Sequence, residues 1–223
     1  MGQTSGSDPE DCHRAMHDPN ADVPSPIDLR RMPDARTWAD EAMVKRPWRA
    51  GFFEACAAAI AERPGRRVLE LGSGPGFLAK HLLHAVPGID LVALDFSAAM
   101  HTLAAERLGS DARRVRFVER SFLDPDWGDG LGPFDAVATL QAVHELRHKR
   151  RAATLHAQVR KVLAPDCIYL VGDHAVGEAE GPGNDRLFMT VPEQVAALRE
   201  AGFVRVDVLR LERGLALLRA SCA

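Results

Sequence analysis

The feature that most limits the fold is a series of short apolar segments spaced by amphipathic ones. Arg67–Leu71, Asp90–Asp95, Val115–Glu119, Phe134–Leu140 and Ile168–Asp173 read as strands. Helical patterns lie between several of them, at Phe77–Ala85, Ala98–Leu108 and Lys149–Leu163. Strands this apolar are buried on both faces, and joining them through helices makes neighbours parallel. The end of the chain departs from this. After a helical stretch at Pro192–Ala201, Val204–Glu212 and Gly214–Ser221 run almost directly into one another. A connection that short joins only antiparallel strands. The expected fold is α/β: a doubly wound, mostly parallel seven-stranded sheet with a C-terminal antiparallel hairpin.

Ahead of this pattern, residues 1–35 hold many Asp, Pro, His and Ser and few large apolar side chains. They are expected to form a flexible arm, and 36–223 a single domain. A helix is expected over Thr37–Arg46 and a second from Pro47, whose stripe of Phe52, Phe53, Cys56 and Ile60 stops at Arg63-Pro64-Gly65. Together they would make a helical lid over 36–65. The net charge of −3 exerts no global pull toward nucleic acid or anionic membrane. No run approaches the ~18 apolar residues of a membrane span, and the N-terminus lacks a secretory pattern. The four cysteines form no CxxC pair, so free thiols in the cytoplasm are expected.

The loop after the first strand reads Val68-Leu-Glu-Leu-Gly-Ser-Gly-Pro-Gly-Phe-Leu78. A dinucleotide fingerprint would carry a small residue where Phe77 stands. A phosphate-gripping P-loop would end in Gly-Lys-Ser/Thr, where this chain has Gly76-Phe77-Leu78. Glu70 would repel a pyrophosphate and suits a cation. Asp95 ends the next strand, where a carboxylate accepts both hydroxyls of a ribose. The loop reads as a seat for a nucleoside with a positive charge and no phosphate.

That combination resembles the class I S-adenosylmethionine-dependent methyltransferases, over roughly Val68 to Ser221. "VLELGSGPG" is similar to their first motif, "LVALDFSAAM" to the second, and "VRFVERSF" stands where the third usually reads Gly-Asp-Ala. "FDAVATLQAVHEL" resembles the fourth strand and its sequel, "VRKVLAPDCIYLVGD" the turn into the fifth, and "EQVAALREAGF" the late helix. The resemblance implies S-adenosyl-L-methionine as cofactor. Glu70, Gly72, Ser73, Gly74 and Gly76 would surround its methionine part, and Asp95 would take the ribose. Phe96, Met100, Ser121 and Phe122 would line the adenine, and Leu140 and Gln141 the end of the fourth strand. Ser121 replaces the usual third-motif acid with an uncharged acceptor. The cofactor carboxylate needs a cation, for which Arg46 is the candidate and Arg49 its neighbour; a solvated helix face is the competing reading of both.

His144-Glu145-Leu146-Arg147-His148 matches the zinc-protease pattern H-E-x-x-H. No third ligand follows at the required spacing, and in the methyltransferase register this segment leaves a strand, so no metal site is expected. Plant-type small-molecule O-methyltransferases carry a His at this place, and His144 precedes the turn at Pro165 by 21 residues. The resemblance makes His144 the candidate general base; a packing or cofactor-contact histidine is the alternative. The basic run 147–151 reads as a solvated helix start before an RNA contact. Trp38, Trp48 and Trp127 read as packing before a substrate slot.

Signatures of other acceptors are missing. After strand four there is no Asn/Asp-Pro-Pro-Tyr/Phe, no double-Glu loop and no extra metal-binding acid, and no Pro-Cys or Thr-Cys occurs. The expected activity is metal-independent methylation of a small molecule, oxygen favoured, with neither membrane nor nucleic acid as partner. Ala175–Met189, with Gly177, Gly181 and Gly183, is the candidate mobile lid. A nucleic-acid or protein methyltransferase, a non-catalytic cofactor binder and an NAD enzyme stay open as alternatives.

Overall fold

The computed structural model describes residues 20–177 and 184–222. Cys12, Gly181, Gly183 and the first nineteen residues of the expected arm lie outside them. In chain order the elements are α1 (Met32–Lys45), α2 (Ala50–Ala61), β1 (Arg67–Leu71), α3 (Phe77–Ala85), β2 (Asp90–Asp95), α4 (Ala98–Leu108), β3 (Val115–Glu119), β4 (Phe134–Leu140), α5 (Ala152–Val162), β5 (Leu163–His174), α6 (Val191–Glu200), β6 (Arg205–Glu212) and β7 (Leu215–Ser221). The strands form one seven-stranded sheet in the order β3-β2-β1-β4-β5-β7-β6. β1 to β5 pair in parallel, and β7 runs antiparallel between β5 and β6.

Alternation along each strand divides the core. Leu69 and Leu71 join Tyr169, Val171, Leu155, Val159 and Leu198 on the α5–α6 face. Val68 joins Leu170, Leu217, Phe52, Ile60 and Leu82 on the α2–α3 face. Leu215 to Leu218 are all fully buried, because β7 lies inside the sheet, with helices over both sides. A small third cluster packs Ala35 and Ala39 of α1 on Met100 and Leu103 of α4. The hairpin turns on Arg213 and Gly214, both at positive φ (49° and 66°), the pair that a two-residue turn between twisted strands requires. Among the described residues no helix is long and apolar enough to cross a membrane.

Three boundaries move from expectation. α1 opens at Met32, five residues before Thr37, because Pro33 starts a helix as well as Pro47 does. β5 begins at Leu163 and reaches its expected stretch through an irregularity in its pairing with β4. The helix expected from Lys149 begins at Ala152, behind short 3-10 turns at Val143–Leu146 and Lys149–Arg151. Between those turns Arg147 sits at φ 62°, which breaks helical continuity.

Of the expected arm, residues 20–31 lie across the carboxyl ends of the strands as a strap. Val23 N–H donates to Arg147 O at 2.8 Å, and Arg147 Nε and Nη2 donate to Val23 O (2.8 Å) and Pro24 O (2.6 Å). Ser97 Oγ donates to Leu29 O at 2.6 Å. The basic run is engaged the same way. Arg151 pairs with Asp22 at 2.8 Å and Lys149 with Glu193 at 2.7 Å.

Tyr169 and His156 are both buried, and their hydroxyl and Nδ1 lie 3.2 Å apart. Tyr169→Phe strands the histidine nitrogen without a partner. The expected loss is about 1–3 kcal/mol, read from urea unfolding, with the fold retained by circular dichroism.

Candidate active site

The site lies where β1, β2, β4 and β5 end and the strand order turns about β1. That crevice is where doubly wound sheets hold ligands. The glycine loop divides its work by position. A Cβ on Gly72 would stand 2.4 Å from the Ala142 Cβ, and one on Gly76 would stand 3.0 Å from Ala104, so these two glycines permit close packing. Gly74 has φ 53° and nothing within 4 Å of its absent Cβ. It is the glycine that faces open space. Arg107 steadies the loop from behind, with Nε donating to Pro75 O at 2.8 Å and the guanidinium 3.8 Å from the Phe77 ring centroid.

A cavity of about 150 Å³ follows, lined by Trp38, Arg46, Arg49, Glu70, Gly72, Ser73, Gly74, Asp95, Phe96, Met100, Phe122, Leu140, Gln141, His144, Glu145 and His174 among others. A second space of about 510 Å³ opens beside it under the strap, sharing Phe96, Phe122 and Glu145 and adding Ser121. The structure thus brings Glu70, Gly72, Ser73, Gly74, Asp95, Phe96, Met100, Phe122, Leu140, Gln141, Arg46 and His144 to one cavity, and Ser121 to its neighbour. Gly76 stands behind, as the residue before α3. Ser121 Oγ accepts the Leu123 N–H at 3.2 Å. Met100 and Phe122 belong to the core as well as the wall. Trp127 is plain core, its Nε1 donating to Gln158.

Asp95 is buried and accepts from Gly74 N–H (2.8 Å) and Ser97 N–H (3.0 Å). Burial raises its pKa to about 6 although those hydrogen bonds pull it down. Glu70 is buried with Oε2 unpartnered, and burial, then the Asp95 charge, hold its carboxyl well above the usual range. Arg49, only 4% exposed, has Nε and Nη1 without partners. Trp38, Phe53 and Phe77 surround its guanidinium at 5.7 to 5.9 Å. Burial, then Arg46, lowers its pKa to about 10. Ser73 Oγ and Gln141 Oε1 are also buried and unpaired. Unpaired buried polar atoms are costly in a folded protein. Here donors and acceptors of both charge signs converge on one cavity, the pattern a zwitterionic ligand completes.

The far wall is a histidine cluster. Asp173 accepts from the His144 N–H (2.7 Å), and its Oδ1 lies 2.8 Å from His144 Nδ1. His144 Nε2 faces Glu145 Oε1 at 3.4 Å, and Glu145 in turn pairs with Arg147 at 3.3 Å. Burial by itself would lower the His144 pKa, but Asp173, then Glu145, reverse this and raise it to about 10. His174 takes the opposite course, with burial lowering it to about 4. Its Nε2 lies 3.0 Å from Gln141 Nε2, so the neutral ring accepts from the amide. His144, His174 and Phe188 stand mutually 5.4 to 5.5 Å apart between ring centroids. His148 is turned elsewhere, its Nδ1 accepting the Arg150 N–H at 3.2 Å. Among the described residues no three His, Cys, Asp or Glu side chains are placed to hold a metal ion.

Sequence reasoning did not assign Asp173, Glu145, Trp38 or the strap to the site. Asp173 had a signal, as an acid at a strand's carboxyl end. Glu145 stands beside His144 in the same turn, and Trp38 and the strap come from elements whose approach only the fold reveals.

Comparison with known proteins agrees. A family model described as a methyltransferase domain matches residues 68–166. Malonyl-[acyl-carrier protein] O-methyltransferase of Chlorobium phaeovibrioides is 38% identical over 125 residues, 53% of this chain and 44% of that protein. Ribosomal RNA small subunit methyltransferase A of Acidithiobacillus ferrooxidans is 27% identical over 136 residues, 56% of this chain and 49% of that protein. The match thus spans less than half of each relative's length. Among solved structures, "PigF with SAH" superposes with a TM-score of 0.68 at 16% identity, over 86% of this chain and 60% of that one. At that identity the likeness shows the fold.

Gly74→Val is expected to keep the fold at reduced stability, since its branch meets no atom but a β-branched residue resists φ 53°, and to abolish S-adenosylhomocysteine binding by occupying the cavity. Gly72→Ala is expected to lower stability as well, because it collides with Ala142, while the ligand still raises its melting temperature. Thermal melts with and without S-adenosylhomocysteine separate the two outcomes.

Proposed function

We propose a function for this chain, which belongs to the class I S-adenosylmethionine-dependent methyltransferases: it transfers the cofactor's methyl group to an oxygen of a small molecule, in the cytoplasm. The observation that carries the reading is the ring of buried, unpaired polar atoms around one cavity. It fits the cofactor part by part. Arg49, rather than the less deeply buried Arg46, suits the carboxylate of the methionine moiety. Glu70 and the Gln141 Oε1 suit its ammonium. Gly74 lets the backbone approach, and Asp95 suits the ribose hydroxyls. Phe96, Ser121 and Phe122, in the wider space under the strap, suit the adenine. When bound, the cofactor supplies an electrophilic methyl carbon. The chain's own task is placement, since in-line displacement depends on alignment.

The small-molecule acceptor is supported by enclosure. Leu29 of the strap and Trp38 of α1 line the cavity that holds His144 and His174, so among the described residues these elements stand over it. The basic run 147–151, the one segment suggestive of RNA, is engaged with the strap and α6. The ribosomal RNA methyltransferase among the relatives makes RNA the rival acceptor.

Calorimetry tests the cofactor first, with S-adenosylhomocysteine, NAD and zinc in parallel; only the first is expected to bind. Asp95→Ala should cost about 2–4 kcal/mol of that affinity, the worth of a bidentate charged contact. A loss of less than threefold would remove Asp95 from the ribose. Wild-type affinity should also depend on pH. Asp95 carries its proton below about 6, and a protonated acid is a poorer acceptor. Kd is therefore expected to rise about tenfold between pH 7 and pH 5 if binding needs the carboxylate. A flat profile would mean that the ribose is held elsewhere.

A further inference from the structure

Two sulfurs meet at the end of the sheet away from the cavity. Cys167 lies toward the start of β5, whose other end carries Asp173 and His174, and Cys222 stands just beyond β7. The register of this antiparallel pair sets Ile168 opposite Ser221. One step further it sets Cys167 opposite Cys222. Their Sγ atoms are 3.9 Å apart, so both side chains leave the same face. Residues directly opposite in antiparallel strands stand about 4.5–5.5 Å apart between Cα atoms. A disulfide bridges about 4.4–6.8 Å. The backbone is therefore already in place for a bond, and only the sulfurs have to turn toward each other.

The pairing is selective and reachable. Cys222 packs against the α5–α6 cluster, whereas Cys56 belongs to the α2–α3 cluster on the other face of the sheet. Cys222 is partly exposed. Cys167, itself buried, lines a separate cavity of about 260 Å³ bordered by Arg63 and Arg219.

We infer that Cys167 and Cys222 form a reversible thiol–disulfide site, oxidised by a small disulfide such as glutathione disulfide, which staples β5 to β7 when closed. The inference is independent of the methyltransferase reading. The Cys222 thiolate attacks one sulfur of the small disulfide. A Cys222–glutathione bond forms, the original S–S bond breaks, and one glutathione thiolate leaves with the bonding pair and takes up a proton. Cys167 then gives its proton to solvent and attacks the Cys222 sulfur, displacing the second glutathione, which is protonated in turn. Two protein thiols are oxidised, and one small disulfide is reduced to two thiols. The order follows from exposure, since the thiolate is the nucleophile. Burial, then Cys222, pushes the Cys167 thiol up to about 12, so it acts second, on a sulfur held beside it. The closed bond spans α6, β6 and β7, and so restricts the unfolded chain.

The experiment incubates the reduced, folded full chain with glutathione disulfide, blocks the remaining thiols by alkylation and maps the peptides by mass spectrometry. A peptide linked through Cys167 and Cys222 is expected. The closed form should melt about 5–10 °C higher than the reduced one, and dithiothreitol should reverse both changes. Cys222→Ser, at a partly exposed position, is expected to keep the fold by circular dichroism and to gain nothing from the oxidant. Cys222 held as its glutathione adduct, Cys222 linked to Cys12 or Cys56, or a link that forms only in urea would each overturn the inference. So would a closed form no more stable than the open one, or an equal gain in Cys222→Ser.

Discussion

The buried carboxylate of Asp173 fixes more of this site than any other group. It accepts three hydrogen bonds, from the His144 N–H, the His144 ring and the His174 N–H, at 2.7 to 2.8 Å. A carboxylate taken out of water this far survives as an anion only when it is so served. Burial pushes its pKa up, and His144 more than cancels that. The bonds tie the chain leaving β4 to the end of β5, so that the His144 turn cannot swing away. They also set the charge of the ring. The position of the cavity wall therefore has a single origin, and the charge of its ring has Asp173 as the larger of two, with Glu145 the second.

Asp95 plays the matching part across the crevice. It too is a strand-end acid that accepts backbone N–H groups, here from the glycine loop and the start of α4. Its difference is that among the described residues no cation lies against it, so burial wins and its proton leaves only near pH 6. Of two acids in similar positions, one is committed to an internal partner and the other stays responsive to whatever enters. The contrast follows from what each faces, since both are carboxylates within hydrogen-bond reach of main-chain donors.

Local pattern carried the sheet, the glycine loop and Asp95 into view, because apolar strands and turn glycines are properties of adjacent residues. The crowding of the His144 ring was not visible, since Asp173 lies 29 positions away. Arg49 was ambiguous for the same reason. An arginine at a helix start is normally solvated, and only the packing of α1, α2 and the glycine loop strips it of water. Boundaries moved where tertiary contacts overrode propensity, most clearly at Arg147, whose left-handed backbone ends one turn so that its guanidinium reaches the strap. The H-E-x-x-H match dissolved because its two histidines leave the chain in different directions.

The strap's hydrogen bonds have one further property. At 23 and 24 the body grips it through main-chain atoms, the Val23 and Pro24 carbonyls and the Val23 N–H, whereas Asp22, Leu29 and Arg30 add side-chain contacts to Arg151, the α1–α4 cluster and the Phe96 ring. Main-chain atoms are the same whatever the side chain. Substitutions at 23 and 24 that keep the backbone path would leave the grip intact, whereas Arg147 supplies two of its donors and has no equivalent elsewhere in the turn. That stretch of the strap is free to vary in sequence, and the information that closes it is written in a residue more than a hundred positions away.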